Sequence, residues 1–218
     1  MLWSNERKLA LSGWLNENHR SSYSSSLKLQ KFLFFYECFS KVDGEEHDFS
    51  NLKGYKNGPV FSRVYGDYTK DRSEFNHEVV RAYHEQQHAV SEVRAAQCAF
   101  LVGTLSESEL SSLTHEFNIW SAKKERILSG EYQVSLDESD FGTEDAGIVR
   151  QLQSAFPYDM IKNSSIIAVD GKYFVLSNDD AEKLTPTHED TISALALNAE
   201  LHNPIYLELD EDGRLLVD

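Results

Sequence analysis

Cysteine and proline are scarce: the 218 residues contain two cysteines, Cys38 and Cys98, and four prolines. Both cysteines fall in apolar helical patterns, so buried free thiols are expected rather than a disulfide or a redox pair. So little proline in a chain that is 40% hydrophobic reads as a globular protein, not a linker-rich one. No run approaches the ~20 apolar residues that a membrane span needs. Met1-Leu2-Trp3-Ser4 lacks the basic-then-apolar layout of a secretory signal, so a soluble cytoplasmic protein is expected. There is no glycine-rich phosphate loop, no zinc-type pair of cysteines and no internal repeat, which removes the usual sequence arguments for a nucleotide hydrolase, a zinc ribbon or a solenoid.

Basic residues are short in the second half. The formal net charge is −15, but residues 1–72 hold 11 Lys/Arg against 9 Asp/Glu, whereas residues 131–218 hold 5 against 19. The acidity therefore belongs to the tail. An acidic surface repels phosphate backbones, which argues against direct nucleic-acid binding and for solubility, or for a tail that covers a basic surface of a partner protein.

What is present is organised around the stretch from Leu27 to Tyr65. Leu29, Phe32, Leu33, Tyr36 and Phe39 recur at intervals of three and four, with Phe34 and Phe35 on the flanks. That pattern predicts a helix wrapped by other elements. One of Ser24, Ser25 and Ser26 can start it and Asp43-Gly44 can stop it. A first helix capped by Ser4, with Leu11, Trp14 and Leu15 inward and an end near Asn18, is expected to pack antiparallel against it. Residues 45–56 read as loop with one short strand at most. Gly58-Pro59 predicts a turn with Pro at a helix's first position, ahead of Val60, Phe61, Val64, Tyr65 and Tyr68 on one face. Residues 69–78 read as loop and Val79–Gly103 as one long helical pattern. Ser106-x-x-Glu109 is a capping box, with Leu105 and Leu110 as its apolar staple, and Asn118 can cap the helix that carries Trp120 and closes at Ser129-Gly130.

These motifs resemble the Panacea, or SocA-like, antitoxin domain. That family runs L-Q-K-L-L-Y-F, then Y-G-P-V followed by V-Y, then a leucine-rich helix leading to T-H and a Trp. Here the counterparts are Lys28-Leu29-Gln30-Lys31, then Tyr55-Lys56-Asn57-Gly58-Pro59-Val60 with Val64-Tyr65, then Leu105-Ser106-Glu107-Ser108-Glu109-Leu110-Ser111-Ser112-Leu113-Thr114-His115 with Trp120. The resemblance spans roughly residues 5–130. It implies an antitoxin that neutralises a co-encoded protein toxin by direct contact. Some of the family's toxins resemble alarmone synthetases, and the SocA type delivers its toxin to an ATP-dependent protease. The polar and aromatic positions nearest any shared surface would be Lys28, Lys31, Tyr55, Lys56, Asn57, Arg63, Tyr65 and His115. Leu29, Gln30, Phe32, Leu33, Gly58, Pro59, Val60 and Trp120 would build the scaffold.

One motif points elsewhere. His84-Glu85-Gln86-Gln87-His88 matches H-E-x-x-H, in which two histidines one helical turn apart hold zinc and the glutamate activates water. Against a zinc-dependent hydrolase, the segment is polar on every side, and a third ligand would have to come from Glu107 or Glu109, of which Glu109 is already explained by its capping box. His115 lacks Asp or Ser companions that would argue a triad. Asp210-Glu211-Asp212-Gly213 lacks the spacing of a calcium loop and reads as an acidic turn.

Beyond Gly130 an acidic linker precedes a helix ending at Pro157, a hairpin about Asp170-Gly171, a helix after Pro186 and Thr187, and a second hairpin about residues 210–213. The expected fold is α+β. Residues 1–130 would form a helical domain of five to six helices around a buried central one. Residues 131–218 would form an acidic α+β appendage with a four-stranded antiparallel sheet and helices on one face. The expected function is an antitoxin with no enzymatic activity and no cofactor; the alternatives are the zinc hydrolase, or a phage or mobile-element accessory protein that binds something else.

Overall fold

The computed structural model describes residues 2–217. Helix α1 (Glu6–Asn18) starts at Asn5, whose side chain accepts from the Lys8 N–H at 2.9 Å. Ser4, expected to cap it, instead donates its N–H (2.7 Å) and its hydroxyl (2.6 Å) to the Asp67 carboxylate. After the short α2 (Arg20–Ser24) comes the central helix α3 (Ser26–Val42), capped by the Ser25 hydroxyl and stopped at Asp43 and a left-handed Gly44. Every residue from Lys28 to Ser40 is buried, including Lys28, Gln30, Lys31, Glu37 and Ser40. A helix enclosed on all sides must be sheathed by its neighbours, as the aromatic pattern predicts.

The segment expected to begin a helix at Gly58-Pro59 is a strand. β1 (Leu52–Tyr55) and β2 (Gly58–Phe61) form a hairpin in the register Leu52↔Phe61 and Tyr55↔Gly58. β2 lies at the sheet edge, where a proline costs no ladder hydrogen bond. The Phe61 N–H donates to the buried Gln30 side-chain oxygen at 2.8 Å. Helix α4 (Ser62–Lys70) follows, and α5 (Arg72–Gln86) begins inside the stretch read as loop. α5 is the main neighbour of α1, because Gly13 lets the backbones meet: a Cβ there would lie 2.0 Å from the Val79 carbonyl oxygen. α1 still reaches α3 through the Trp14 ring, stacked on Phe32 at 5.8 Å.

The pattern from Val79 to Gly103 is two helices. α5 ends at Gln86, a 3-10 turn covers Gln87–Ala89, and Ser91 caps α6 (Glu92–Thr104). The polar run from His84 to His88 has no apolar face to hold the helix together, and it breaks there. α7 (Glu107–His115) carries both hydrogen bonds of the expected capping box. The next helix is two pieces, α8 (Asn118–Ser121) and α9 (Lys124–Leu128), closed at a left-handed Gly130. Asn118 is not the cap: the Asp145 carboxylate accepts from the N–H groups of Asn118 (2.5 Å) and Ile119 (3.0 Å).

The core does not stop at residue 130. β3 (Val134–Ser135) pairs with the free side of β1, and Val134, Leu136, Val149 and Phe156 are buried with the α3 aromatics. α10 (Thr143–Ala155) and α11 (Tyr158–Lys162) belong to this packing. The last part has β4 (Ser164–Val169), β5 (Lys172–Ser177), α12 (Asn178–Ala181), α13 (Pro186–Ala196), β6 (Ile205–Leu209) and β7 (Leu215–Val217). Both expected hairpins form, the first about Asp170 and Gly171 at positive φ. The sheet is mixed, however, not antiparallel throughout, because β5 and β6 are parallel. The connection between them carries α12 and α13, and a helical crossover returns the chain in the same direction. Nor are helices confined to one face. Phe174 and Leu176 point into a small core with Ile192 and Ile205, while Val175 between them joins the main core.

The whole is α+β: a mainly helical front region and a smaller α+β region with two hairpins. Among the described residues no helix is long and apolar enough to cross a membrane. Cys38 and Cys98 are free and buried, with burial pushing both thiol pKa values up.

Candidate binding cleft

The first turns of α3, the tip of the β1–β2 hairpin and the start of α4 enclose a cleft of about 230 Å³. Ser26, Leu27, Gln30, Lys31, Tyr55, Lys56, Asn57, Val60 and Tyr65 line it. Five of the eight predicted surface positions, Lys31, Tyr55, Lys56, Asn57 and Tyr65, thus converge on one hollow. The rings of Tyr55 and Tyr65 stand 6.2 Å apart at its edge.

Lys31 is the unusual member. It is 1% exposed, and its Nζ donates to the Asn57 carbonyl at 2.5 Å. Among the described residues no carboxylate lies within ion-pair distance of it. Removing an ammonium from water without a counter-ion disfavours the charged form, and burial lowers the Lys31 pKa to about 7. Near neutral pH this side chain is therefore divided between a cation and a free amine.

The three spaced motifs meet at this lysine. Gly58, at φ +101°, has no side chain where a Cβ would lie 2.2 Å from Lys31 Nζ and 2.4 Å from the Thr114 hydroxyl. Next to Thr114, the His115 ring stacks on Trp120 with centroids 3.8 Å apart, and the Trp120 indole N–H donates to the Tyr55 carbonyl at 3.1 Å. His115 Nε2 is buried without a hydrogen-bond partner. Burial, then the Lys31 charge, lowers the His115 pKa, only partly offset by the Lys56 backbone. A neutral imidazole beside a part-neutral lysine keeps the cleft floor from carrying two like charges.

Gly58→Ala is expected to cost about 1–3 kcal/mol, the range for a non-glycine residue held in a sparsely populated backbone region. It also evicts the Lys31 ammonium from its seat. Urea denaturation gives the cost, and a change below about 0.5 kcal/mol would mean that the hairpin relaxes freely.

Two of the predicted surface positions, Arg63 and Lys28, lie outside the cleft. Arg63 is exposed on the far side of the Tyr55–Tyr65 pair, in a second hollow of about 450 Å³ lined also by Trp3, Lys70, Tyr132 and Gln133. Lys28 is covered by the C-terminal sheet: its Nζ donates to the Tyr173 hydroxyl at 3.0 Å and lies 4.3 Å from that ring's centroid. Leu29, Gln30, Phe32, Leu33, Gly58 and Trp120 are buried as scaffold, and Val60 is half-buried in the cleft wall.

The HEQQH segment does not form a ligand pair on one helix. His84 lies in the last turn of α5, whereas His88 is exposed in the 3-10 turn beyond the break. Glu85 pairs with Arg81, and Glu109 is held by Ser106 and by the Asn203 amide. Among the described residues no three His, Cys, Asp or Glu side chains are grouped to hold a metal ion.

Ser26, Leu27, Trp3 and Tyr132 were not foreseen as lining these hollows. Tyr132, 82% exposed in the acidic stretch after Gly130, had a readable signal in being an aromatic among polar residues. No family model matches the sequence, and no match was found among curated proteins or solved structures.

Proposed function

We propose that this chain is an antitoxin of a bacterial or phage toxin–antitoxin pair, of the Panacea type, that neutralises a co-encoded protein toxin by direct binding. The observation that carries the reading is the meeting of the three resemblance motifs at one place: Lys31 from the first, Asn57 and Gly58 from the second, Thr114 and His115 from the third. Residues far apart in the chain that converge beside an open cleft suit a recognition surface better than a core.

The surroundings of the cleft support a protein partner. Trp3, Tyr65 and Tyr132 are exposed around Arg63 and Lys70, and aromatic residues with arginine are the side chains that dominate protein interfaces. Lys56, Arg63 and Lys70 make this face locally basic on an acidic chain, so it would meet carboxylates of the toxin. The acidic tail would meet a basic region, and the two signs together would fix orientation and speed encounter. Delivery of the bound toxin to an ATP-dependent protease is a further role open to the same complex. A soluble cytoplasmic protein would meet its toxin as both are made.

The test is co-expression with the product of the neighbouring open reading frame. That product should arrest growth alone and become harmless beside this chain. Arg63→Ala or Tyr65→Ala should weaken the complex by about 2 kcal/mol or more, the cost of losing an interface anchor. A harmless neighbour, or one still lethal in the pair, overturns the proposal.

A further inference from the structure

Lys31 poses a chemical question that toxin binding does not by itself answer. An ammonium offers three donor hydrogens, and among the described residues it has one hydrogen-bond acceptor, the Asn57 carbonyl. Buried charges are ordinarily paired, and among the described residues no carboxylate pairs with this one. Yet the side chain is not sealed in the core, because it forms part of the cleft wall. The absent Cβ of Gly58 keeps open the seat in which the ammonium lies.

The apolar part of the wall is Leu27, Val60 and the rings of Tyr55 and Tyr65, and Ser26, Gln30, Lys56 and Asn57 complete it. At about 230 Å³ the space falls below the ~300–1,000 Å³ of pockets for drug-sized ligands and cofactors, so a nucleotide is too large. Lys31, the buried cation of this wall, fits one negative charge, and Ser26, Gln30 and Asn57 add neutral polar groups beside it.

We propose that the cleft is a carboxylate-binding site, taking a small organic acid or the free C-terminal carboxylate of an apolar or aromatic residue, with the carboxylate on Lys31 Nζ and the apolar body between Leu27, Val60 and Tyr65. The site stands independently of the antitoxin reading, since it follows from the lysine and the walls alone. Lys56 at the rim adds a solvent-exposed positive charge that favours entry of an anion.

Binding carries a pH signature. The titratable groups around Lys31 are His115 from α7, Tyr55 from β1, Lys56 from the hairpin turn and Tyr65 from α4, with no carboxylate among them. A carboxylate selects the ammonium form, so affinity is greatest at and below about pH 7, the Lys31 pKa, and falls as the amine loses its proton.

The experiment is calorimetric titration of the full chain at pH 6.5 and pH 9 with three probes: benzoate, the peptide Ala-Ala-Ala-Phe with a free carboxylate, and the same peptide as its C-terminal amide. A free acid should bind at least tenfold more tightly than the amide, and more tightly at pH 6.5 than at pH 9. Tighter binding of the peptide acid than of benzoate identifies a chain terminus as the ligand, and the reverse order identifies a free acid. Lys31→Met should lower affinity at least tenfold, and Ser26→Trp, which fills the cleft and leaves the lysine in place, should do the same. Absence of saturable binding by either acid, equal binding of acid and amide, or unchanged affinity in folded Lys31→Met overturns the proposal. Retained toxin neutralisation beside absent acid binding would remove this site and leave the antitoxin reading standing.

Discussion

Lys31→Met is expected to stabilise the folded chain at neutral pH, by about 1–4 kcal/mol, the range seen when buried ion pairs give way to apolar side chains of similar volume. The lysine is buried in the cleft wall, with the Asn57 carbonyl as its acceptor. Its pKa falls from the ordinary 10.5 to about 7 in the folded state. Between those values the unfolded chain binds the extra proton, so this residue makes wild-type stability rise with pH from about 7 to 10.5 and level off on either side. Methionine carries no such dependence. The advantage of the variant should therefore be full at and below pH 7 and shrink towards pH 10. Paired urea denaturations at pH 7 and pH 10 read that difference directly, other titrating groups cancelling between the two proteins. A variant less stable than wild type at pH 7 would mean that the lysine is a structural asset, and would undercut its assignment as a ligand-binding group. A residue that stays at a cost to stability is what a binding role predicts.

Glu37→Ala should have the opposite sign and the larger size, a loss of about 3–5 kcal/mol, because it strands buried charge. Glu37 is fully buried in α3 and accepts from Arg7 Nε (2.9 Å) and Nη2 (3.0 Å), from Lys8 Nζ, and from the Asp48 N–H (3.0 Å). One carboxylate thus fastens α1 and the loop after Gly44 to the central helix. Lys8 is 3% exposed, with its ammonium 4.3 Å from the Phe61 ring centroid. Without Glu37 it keeps the Asp48 carbonyl and a carboxylate 3.6 Å away, both less favourable than the lost partner. Chemical denaturation at pH 7 measures the loss. A value under about 1 kcal/mol would show that water enters and solvates the lysine. Glu37→Leu with Lys8→Met should recover most of the loss, since the pair is then removed together.

The elements legible in the sequence are those whose information is local. The aromatic spacing of α3, the Ser106–Glu109 box and the Asp170-Gly171 turn each specify geometry within a few residues, and each formed as read. Gly58-Pro59 did not, because the same dipeptide serves a helix start or an edge strand, and the choice depends on β1 lying alongside. The division of the Val79–Gly103 pattern was hidden by good helix formers on both sides of a polar segment. The parallel pairing of β5 and β6 and the closeness of α1 to α5 at Gly13 depend on partners distant in sequence. The cleft was half visible: its polar members could be picked out as motif residues, but Lys31 and Lys28 look alike in sequence. Only packing makes one a lone cation in a cleft and the other a contact of Tyr173. A lysine within a run of buried aromatics was the available clue.

Asp145 gives the tail a lever on the cleft. Its carboxylate holds the first N–H groups of α8, and that one-turn helix carries the tryptophan whose indole clasps the Tyr55 carbonyl. A pull on α10 is therefore relayed to the hairpin through one anion and one short turn of backbone. Cutting that link at Asp145 is therefore expected to loosen the Tyr55 wall from a residue that lies outside the cleft.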